Sequence, residues 1–192
     1  MTKIVKRLSK SDLIKKTKVK GEFEKFLSYK EAWARIRLAR KSGFYLEAIT
    51  IEESIISDRL TSFVVKDRGV TMGHKSIRTL NNLTDTWVQI CNTNLSNLSV
   101  VKDDLQELQI RLNEWRKNRN TAVHGLVKSG TSRDTDHVEN FLKLAHMTAL
   151  EGETLARDIS RWVDSARREE RFRSKYRTDP LVNSPVKWTI QN

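Results

Sequence analysis

The sequence is poor in the residues that shape turn-rich or cross-linked folds: 192 residues include two prolines, seven glycines and one cysteine. So little proline and glycine favours long helices over a turn-rich β fold. The single cysteine, Cys91, excludes an internal disulfide framework, which fits a reducing compartment. No apolar run approaches the ~20 residues that a membrane-spanning helix needs, and the N-terminus lacks the apolar segment of a secretory signal. We therefore expect a cytoplasmic, predominantly helical protein.

Positive charge is abundant: 36 lysines and arginines stand against 24 acidic residues, which gives a net charge of +12 and a pI near 10.0. This balance indicates a polyanionic partner, with RNA or DNA ahead of an anionic membrane surface. The spacing of Cys91 and the histidines predicts no metal site. No glycine-rich phosphate loop, nucleophile elbow or pair of catalytic carboxylates is present either. We predict no metal and no cofactor.

The pattern of apolar residues predicts an all-α helical bundle of four to five main helices. A basic arm over 1–22 precedes a single helical domain over 23–177, and a flexible tail covers 178–192. We place helices at 23–41, 44–66, 75–91 and 99–127, and a long last helix that begins at Thr135 or Asp136. Past Trp162 this last helix becomes arginine-rich and forms a C-terminal extension. The arm is either a surface that contacts phosphates or an ordinary solvated terminus.

One stretch near the end of the fourth helix carries the most chemical information: Arg119-Asn120-Thr121-Ala122-Val123-His124. An arginine can hold the negative charge of a phosphate, and a histidine can move protons near neutral pH. Asn120 and His124 are four residues apart, so they share a helix face and Asn120 could orient the imidazole. Arg116, Lys117 and Lys128 make the surroundings basic and are candidate nucleic-acid contacts.

The helix pattern also predicts a partner for Arg119. By angle, Arg119 falls on the apolar stripe of the fourth helix, so it should point into a groove of the bundle and meet an acidic group or a phosphate. Glu53 falls on the apolar stripe of the second helix, where an unpaired charge would be costly. We predict that Glu53, or in its place the neighbouring Glu52, braces Arg119. The alternative is that both glutamates are rim residues that pair with Arg59 or with surface lysines.

The run from Arg119 to His124 resembles the signature of the HEPN superfamily, small all-α proteins that include many ribonucleases of toxin–antitoxin and defence systems. Arg119, Asn120 and His124 match the shortest form of that signature. The resemblance implies a metal-independent endoribonuclease in which His124 acts as general base or acid and Arg119 stabilises charge on the phosphate. The products would carry 2′,3′-cyclic phosphate and 5′-hydroxyl ends.

The resemblance also implies a homodimer whose two motifs face one cleft, with RNA as substrate, a toxin or anti-phage setting and a possible regulatory partner protein. Family members that are silenced by nucleotidylation carry a tyrosine two residues after the histidine. This chain has Leu126 there, which puts that form of regulation in doubt.

Two other interpretations of the sequence stay open. The chain could be a non-catalytic helical module that binds nucleic acid or serves as a dimeric scaffold, using the same basic surface. It could also bind a membrane surface or an acidic protein, an interpretation that rests on net charge alone.

Overall fold

The computed structural model describes residues 20–68, 70, 77–95, 98–125 and 135–177. These residues form five α-helices and no strand: α1 (Lys20–Lys41), α2 (Tyr45–Arg68), α3 (Leu80–Asn94), α4 (Ser99–Gly125) and α5 (Thr135–Arg177). The all-α bundle predicted from the sequence is confirmed.

Two helix ends show why the chain folds as it does locally. Gly43 lies between α1 and α2 with a φ of 78°, a left-handed conformation that side-chain-bearing residues avoid. There the Phe44 amide donates to the Ala39 carbonyl at 2.8 Å and closes the end of α1. Thr79 caps α3, because its hydroxyl accepts a hydrogen bond from the backbone N–H of Asn82 at 3.2 Å. Such a cap typically contributes about 1 kcal/mol.

The longest helix, α5, organises the bundle. Its 43 residues give it a length of roughly 65 Å at 1.5 Å per residue. Its most extensive packing is against α2 and α4, while α1 packs mainly against α2 and α3 lies against α2 and α4. The small residues Ala149, Ala156 and Ala166 on α5 are fully buried, so they let the neighbouring helices approach closely.

Aromatic side chains fill the centre of the bundle. The Trp162 ring on α5 meets Phe63 of α2 at a centroid distance of 5.3 Å and Trp87 of α3 at 5.0 Å, both in edge-on geometry. Trp115 of α4 is also buried, and its indole N–H donates to the Thr148 carbonyl of α5 at 2.9 Å. Because these rings come from four of the five helices, they join α2, α3, α4 and α5 in one core.

Several details differ from the sequence prediction. α1 begins at Lys20, within the segment assigned to the basic arm; residues 1–19 of that arm and the tail at 178–192 lie outside the described residues. α3 begins at Leu80 rather than at Lys75, because Thr79 provides the cap. Cys91 is buried, as an inert thiol should be. Over the described ranges, no helix is long and apolar enough to cross a membrane.

Candidate active site

Arg119 lies on the buried side of α4. The buried residues of this helix recur at steps of three and four: Val101, Leu105, Leu108, Leu112, Trp115 and Ala122. Arg119 occupies the position four after Trp115 and three before Ala122, so the helix turns its side chain toward the bundle rather than into open solvent. Its side chain is 29% exposed. The following residue, Val123, is only half-buried.

The guanidinium of Arg119 is held from two sides. One nitrogen donates to the Glu53 carboxylate of α2 in a charge-assisted hydrogen bond, the stronger class of hydrogen bond. Another donates to the amide oxygen of Asn120 at 2.8 Å. The predicted contact between Glu53 and Arg119 is therefore present, and it joins α2 to α4 at this point.

Asn120 does not orient His124. Its amide oxygen accepts from Arg119, and no hydrogen bond joins it to His124 in the part of the chain that the structure describes. The four-residue spacing correctly puts both residues near one face of α4, but the adjacent guanidinium is the stronger donor. The contact predicted between Asn120 and His124 is replaced by one between Asn120 and Arg119.

His124 lies exposed in the last turn of α4. It follows Arg119 by five residues, which corresponds to about 140° around the helix axis. The two side chains therefore leave α4 in different directions. Just after His124, Gly125 faces the Phe141 ring of α5, which marks the side of the bundle where α4 ends.

A groove of about 480 Å³ opens where α2, the start of α3 and α4 meet. We call it the arginine groove, because its charged lining residues are Arg78, Arg116, Arg119 and one carboxylate, Glu53. Three cations against one anion make the lining positive, which suits a phosphate-bearing ligand. His124 is not among the lining residues.

The other predicted nucleic-acid contacts have different positions. Arg116 lines the arginine groove, where it donates to the side-chain oxygen of Asn81 on α3. Lys117 is exposed on α4 beside the groove and does not line it. Lys128 lies outside the described residues.

Glu52 is the residue that sequence reasoning assigned wrongly. The sequence pattern put Glu53 on the apolar stripe of α2, but Glu52 is the fully buried residue, whereas Glu53 keeps 23% of its side chain exposed. Neither carboxyl oxygen of Glu52 has a hydrogen-bond partner among the described residues. Burial, and then the nearby Glu153 carboxylate, raise the pKa of Glu52 to about 8, and the Arg40 guanidinium only partly opposes them. Glu52 is therefore neutral at pH 7.

The surroundings of Glu52 explain how it fits in the core. Its carboxyl group lies directly against Gly152 of α5, where a β-carbon would collide with it. The same β-carbon would come within 2.7 Å of the Trp115 indole nitrogen. A glycine in the middle of a long helix is unfavourable by itself, so Gly152 was the sequence signal that another group approaches α5 closely.

Within the described ranges, no group of three histidine, cysteine or acidic side chains is placed to hold a metal ion. Comparison of the chain with protein-family models, with curated proteins and with solved structures gave no match. The functional argument therefore rests on the chain's own residues and geometry.

Proposed function

We propose that this protein is a metal-independent endoribonuclease of the HEPN type. The observation that carries the proposal is the position of Arg119, which Glu53 and Asn120 hold at the edge of a positively charged groove, five residues before a solvent-accessible histidine. A guanidinium fixed in advance can stabilise the charge that develops on a phosphate without reorganising during the reaction. A merely solvated arginine would not need two such partners.

In the proposed reaction, the 2′-oxygen of a ribose attacks the adjacent phosphorus, and the bond from phosphorus to the 5′-oxygen breaks. One His124 imidazole takes the proton of the 2′-hydroxyl, and an imidazolium gives a proton to the departing 5′-oxygen. Arg119 donates hydrogen bonds to the non-bridging phosphate oxygens. The products are a 2′,3′-cyclic phosphate and a 5′-hydroxyl end, so atoms and protons balance without a further reactant.

The proposal includes a homodimer. Each chain offers one motif histidine, whereas the reaction needs both a base and an acid. Because His124 does not line the groove of its own chain, a shared cleft that brings two copies of α4 together would supply both imidazoles. We further propose a cytoplasmic toxin or anti-phage role, in which a regulatory partner protein controls cleavage.

One observation favours a second candidate, a nucleic-acid-binding or scaffold module without catalysis. Asn120 is engaged by Arg119, so nothing in the described structure orients the His124 ring. A histidine that is not oriented is a weaker general base. The basic groove would serve binding equally well without any chemistry.

The deciding experiment incubates the purified full chain with total RNA and a labelled single-stranded RNA in EDTA. His124→Ala and Arg119→Ala are compared with Arg37→Ala, which removes an exposed charge on α1. We expect the wild type and Arg37→Ala to cut and leave cyclic-phosphate ends. The other two variants should lose roughly 10²–10³-fold in rate. Cleavage that persists in both would refute the site, and salt-sensitive binding without cleavage would favour the binding module.

A further inference from the structure

Arg116 differs from Arg119 in the partner that holds it. Both line the arginine groove, but Arg119 meets the Glu53 carboxylate, whereas Arg116 donates to the neutral amide oxygen of Asn81. A carboxylate partner compensates the charge of a guanidinium, and an amide orients it without compensating it. Arg116 is therefore aimed into the groove with its positive charge available to a ligand.

Asn81 is itself fixed in the orientation that this contact needs. Its amide nitrogen donates to the Asp85 carboxylate one turn later on α3 at 3.2 Å. A carboxylate accepts hydrogen bonds only, so Asp85 takes the NH₂ group and turns the amide oxygen of Asn81 toward Arg116. The chain of contacts from Asp85 through Asn81 to Arg116 holds the guanidinium at the wall of the groove that α3 forms.

The opposite wall of the groove supplies hydroxyl groups. Thr50, Ser54 and Ser57 on α2 all line it. The Thr50 and Ser54 hydroxyls donate to carbonyls of the preceding turn at 2.8 and 2.9 Å. The Ser57 hydroxyl has no such bond in the described structure. A hydroxyl that lines the same groove as the arginine side chains is a suitable donor to a phosphate or acceptor from a ribose.

We propose that Arg116, Asn81 and Ser57 form a second phosphate subsite in the arginine groove. It would bind the backbone phosphate next to the one held by Arg119 in a single strand of RNA. The proposal deepens the proposed function and rests on it. Arg116 and Arg119 are three residues apart and therefore neighbours on one helix face, which suits successive phosphates of one strand. The groove is a recess between helices, which suits the flexible backbone of a single strand better than the rigid backbone of a duplex.

The test measures binding separately from cleavage. All variants carry His124→Ala, and the affinity for a fluorescein-labelled single-stranded RNA is titrated at several salt concentrations. Arg116→Ala should weaken binding about tenfold, the loss of one charge-assisted contact. It should also reduce the slope of log affinity against log salt by about 0.7, the value for one phosphate contact on a single strand. Arg37→Ala is the matched control.

The sharper variant is Asn81→Asp, which keeps the size of the side chain but gives Arg116 a carboxylate partner. We expect it to weaken binding about as much as Arg116→Ala. Asn92→Asp adds the same charge at an exposed position on the same helix and should have little effect. Thermal unfolding confirms that each variant is folded.

Equal affinities for Asn81→Asp and Asn92→Asp would overturn the subsite, as would equal binding of duplex RNA or no RNA binding at all. The proposed function is tested separately: it fails if the wild-type protein, which keeps His124, cuts no RNA. In that case, a specific loss of binding in Asn81→Asp would still support the subsite.

Discussion

Glu52 and Glu53 are adjacent on α2, yet Glu52 is fully buried against α5 and Glu53 pairs with Arg119 of α4 at the edge of the arginine groove. One helix thus presents two carboxyl groups to two different helices. The first is neutral because burial raises its pKa, and the second serves as an ion-pair partner. Their substitutions should therefore affect different properties: RNA binding and cleavage for Glu53, and the pH dependence of stability for Glu52.

Glu53→Gln should separate binding from cleavage. Removal of the carboxylate frees the Arg119 charge, so single-stranded RNA should bind more tightly, while the guanidinium loses its fixed position. We expect kcat to fall about tenfold, or about 1.4 kcal/mol of transition-state stabilisation. The free energy of unfolding should change by less than ~1 kcal/mol, because the pair is partly exposed. Glu47→Gln, an exposed site on the same helix, is the control. An unchanged kcat would show that Glu53 does not position Arg119.

Glu52 should make the protein less stable as pH rises from mild acid to mild base. The folded pKa of about 8 lies above the ordinary value of 4.5, so the folded state keeps a proton that the unfolded state releases. The contribution of Glu52 to stability is fully present below pH 4.5 and is lost as pH rises to 8. Within that window, the contribution of Glu52 to the free energy of unfolding should fall by at most about 1.4 kcal/mol per pH unit.

Urea unfolding of wild type and Glu52→Gln at several pH values checks this expectation. The glutamine variant cannot ionise, so its curve should lack the slope that Glu52 causes. The difference between the two proteins removes the contributions of titratable groups that do not interact with Glu52. Parallel curves would mean that Glu52 titrates normally in the folded protein.

Gly152→Ala should destabilise the fold. Its β-carbon would collide with the Glu52 carboxyl group and approach the Trp115 indole nitrogen to 2.7 Å, and overpacking of a core typically costs about 1–3 kcal/mol. For a chain of this size, each kilocalorie lowers Tm by roughly 2–4 °C. Gly125→Ala is the control, since its β-carbon would meet the Phe141 ring at an ordinary 3.5 Å. A Tm for Gly152→Ala equal to that of the wild type would contradict the packing described here.

The shared cleft makes a prediction about mixed dimers. When wild type is re-equilibrated with an equal amount of His124→Ala, only dimers with two histidines should cut. At the same total protein concentration, the cleavage rate should fall to about a quarter of that of the wild type alone. Random pairing of equal amounts of two chains makes about a quarter of the dimers wild type in both subunits. Sites that act independently would retain about half. Arg37→Ala mixed in the same way should leave the rate unchanged.

Helical periodicity predicted much of this fold. It located all five helices and placed Arg119 on the inner side of α4, because a period of 3.6 residues reports which side of a helix is buried. It put Glu53 on the buried stripe of α2, whereas Glu52 is the buried residue. Both lie three or four residues from Ile49 and from Ile56, so the stripe runs between them. Only the packing of α4 and α5 on either side of α2 decides which one is buried.

The arginine groove could not be predicted from the sequence either, because it too depends on how the helices pack together. Arg116 was recognised as basic, but its partner Asn81 lies 35 residues earlier on another helix, and nothing local connects the two. The contact of Asn120 with Arg119 was missed because the spacing rule favoured His124 at four residues and gave no weight to the adjacent guanidinium.

The helix with the most extensive packing, α5, is also the last of the five to be synthesised, which has a consequence for folding during translation. The Trp162 ring closes the core against Phe63 and Trp87, residues that leave the ribosome much earlier. Until α5 has been translated, the surfaces of α2 and α4 that pack against it stay uncovered. The nascent chain then exposes apolar surface that chaperones recognise. Glu52 also becomes buried only when Gly152 of α5 packs against it. The bundle therefore matures late, after residues 135–177 have emerged, and a chain interrupted before that point would be a substrate for proteolysis.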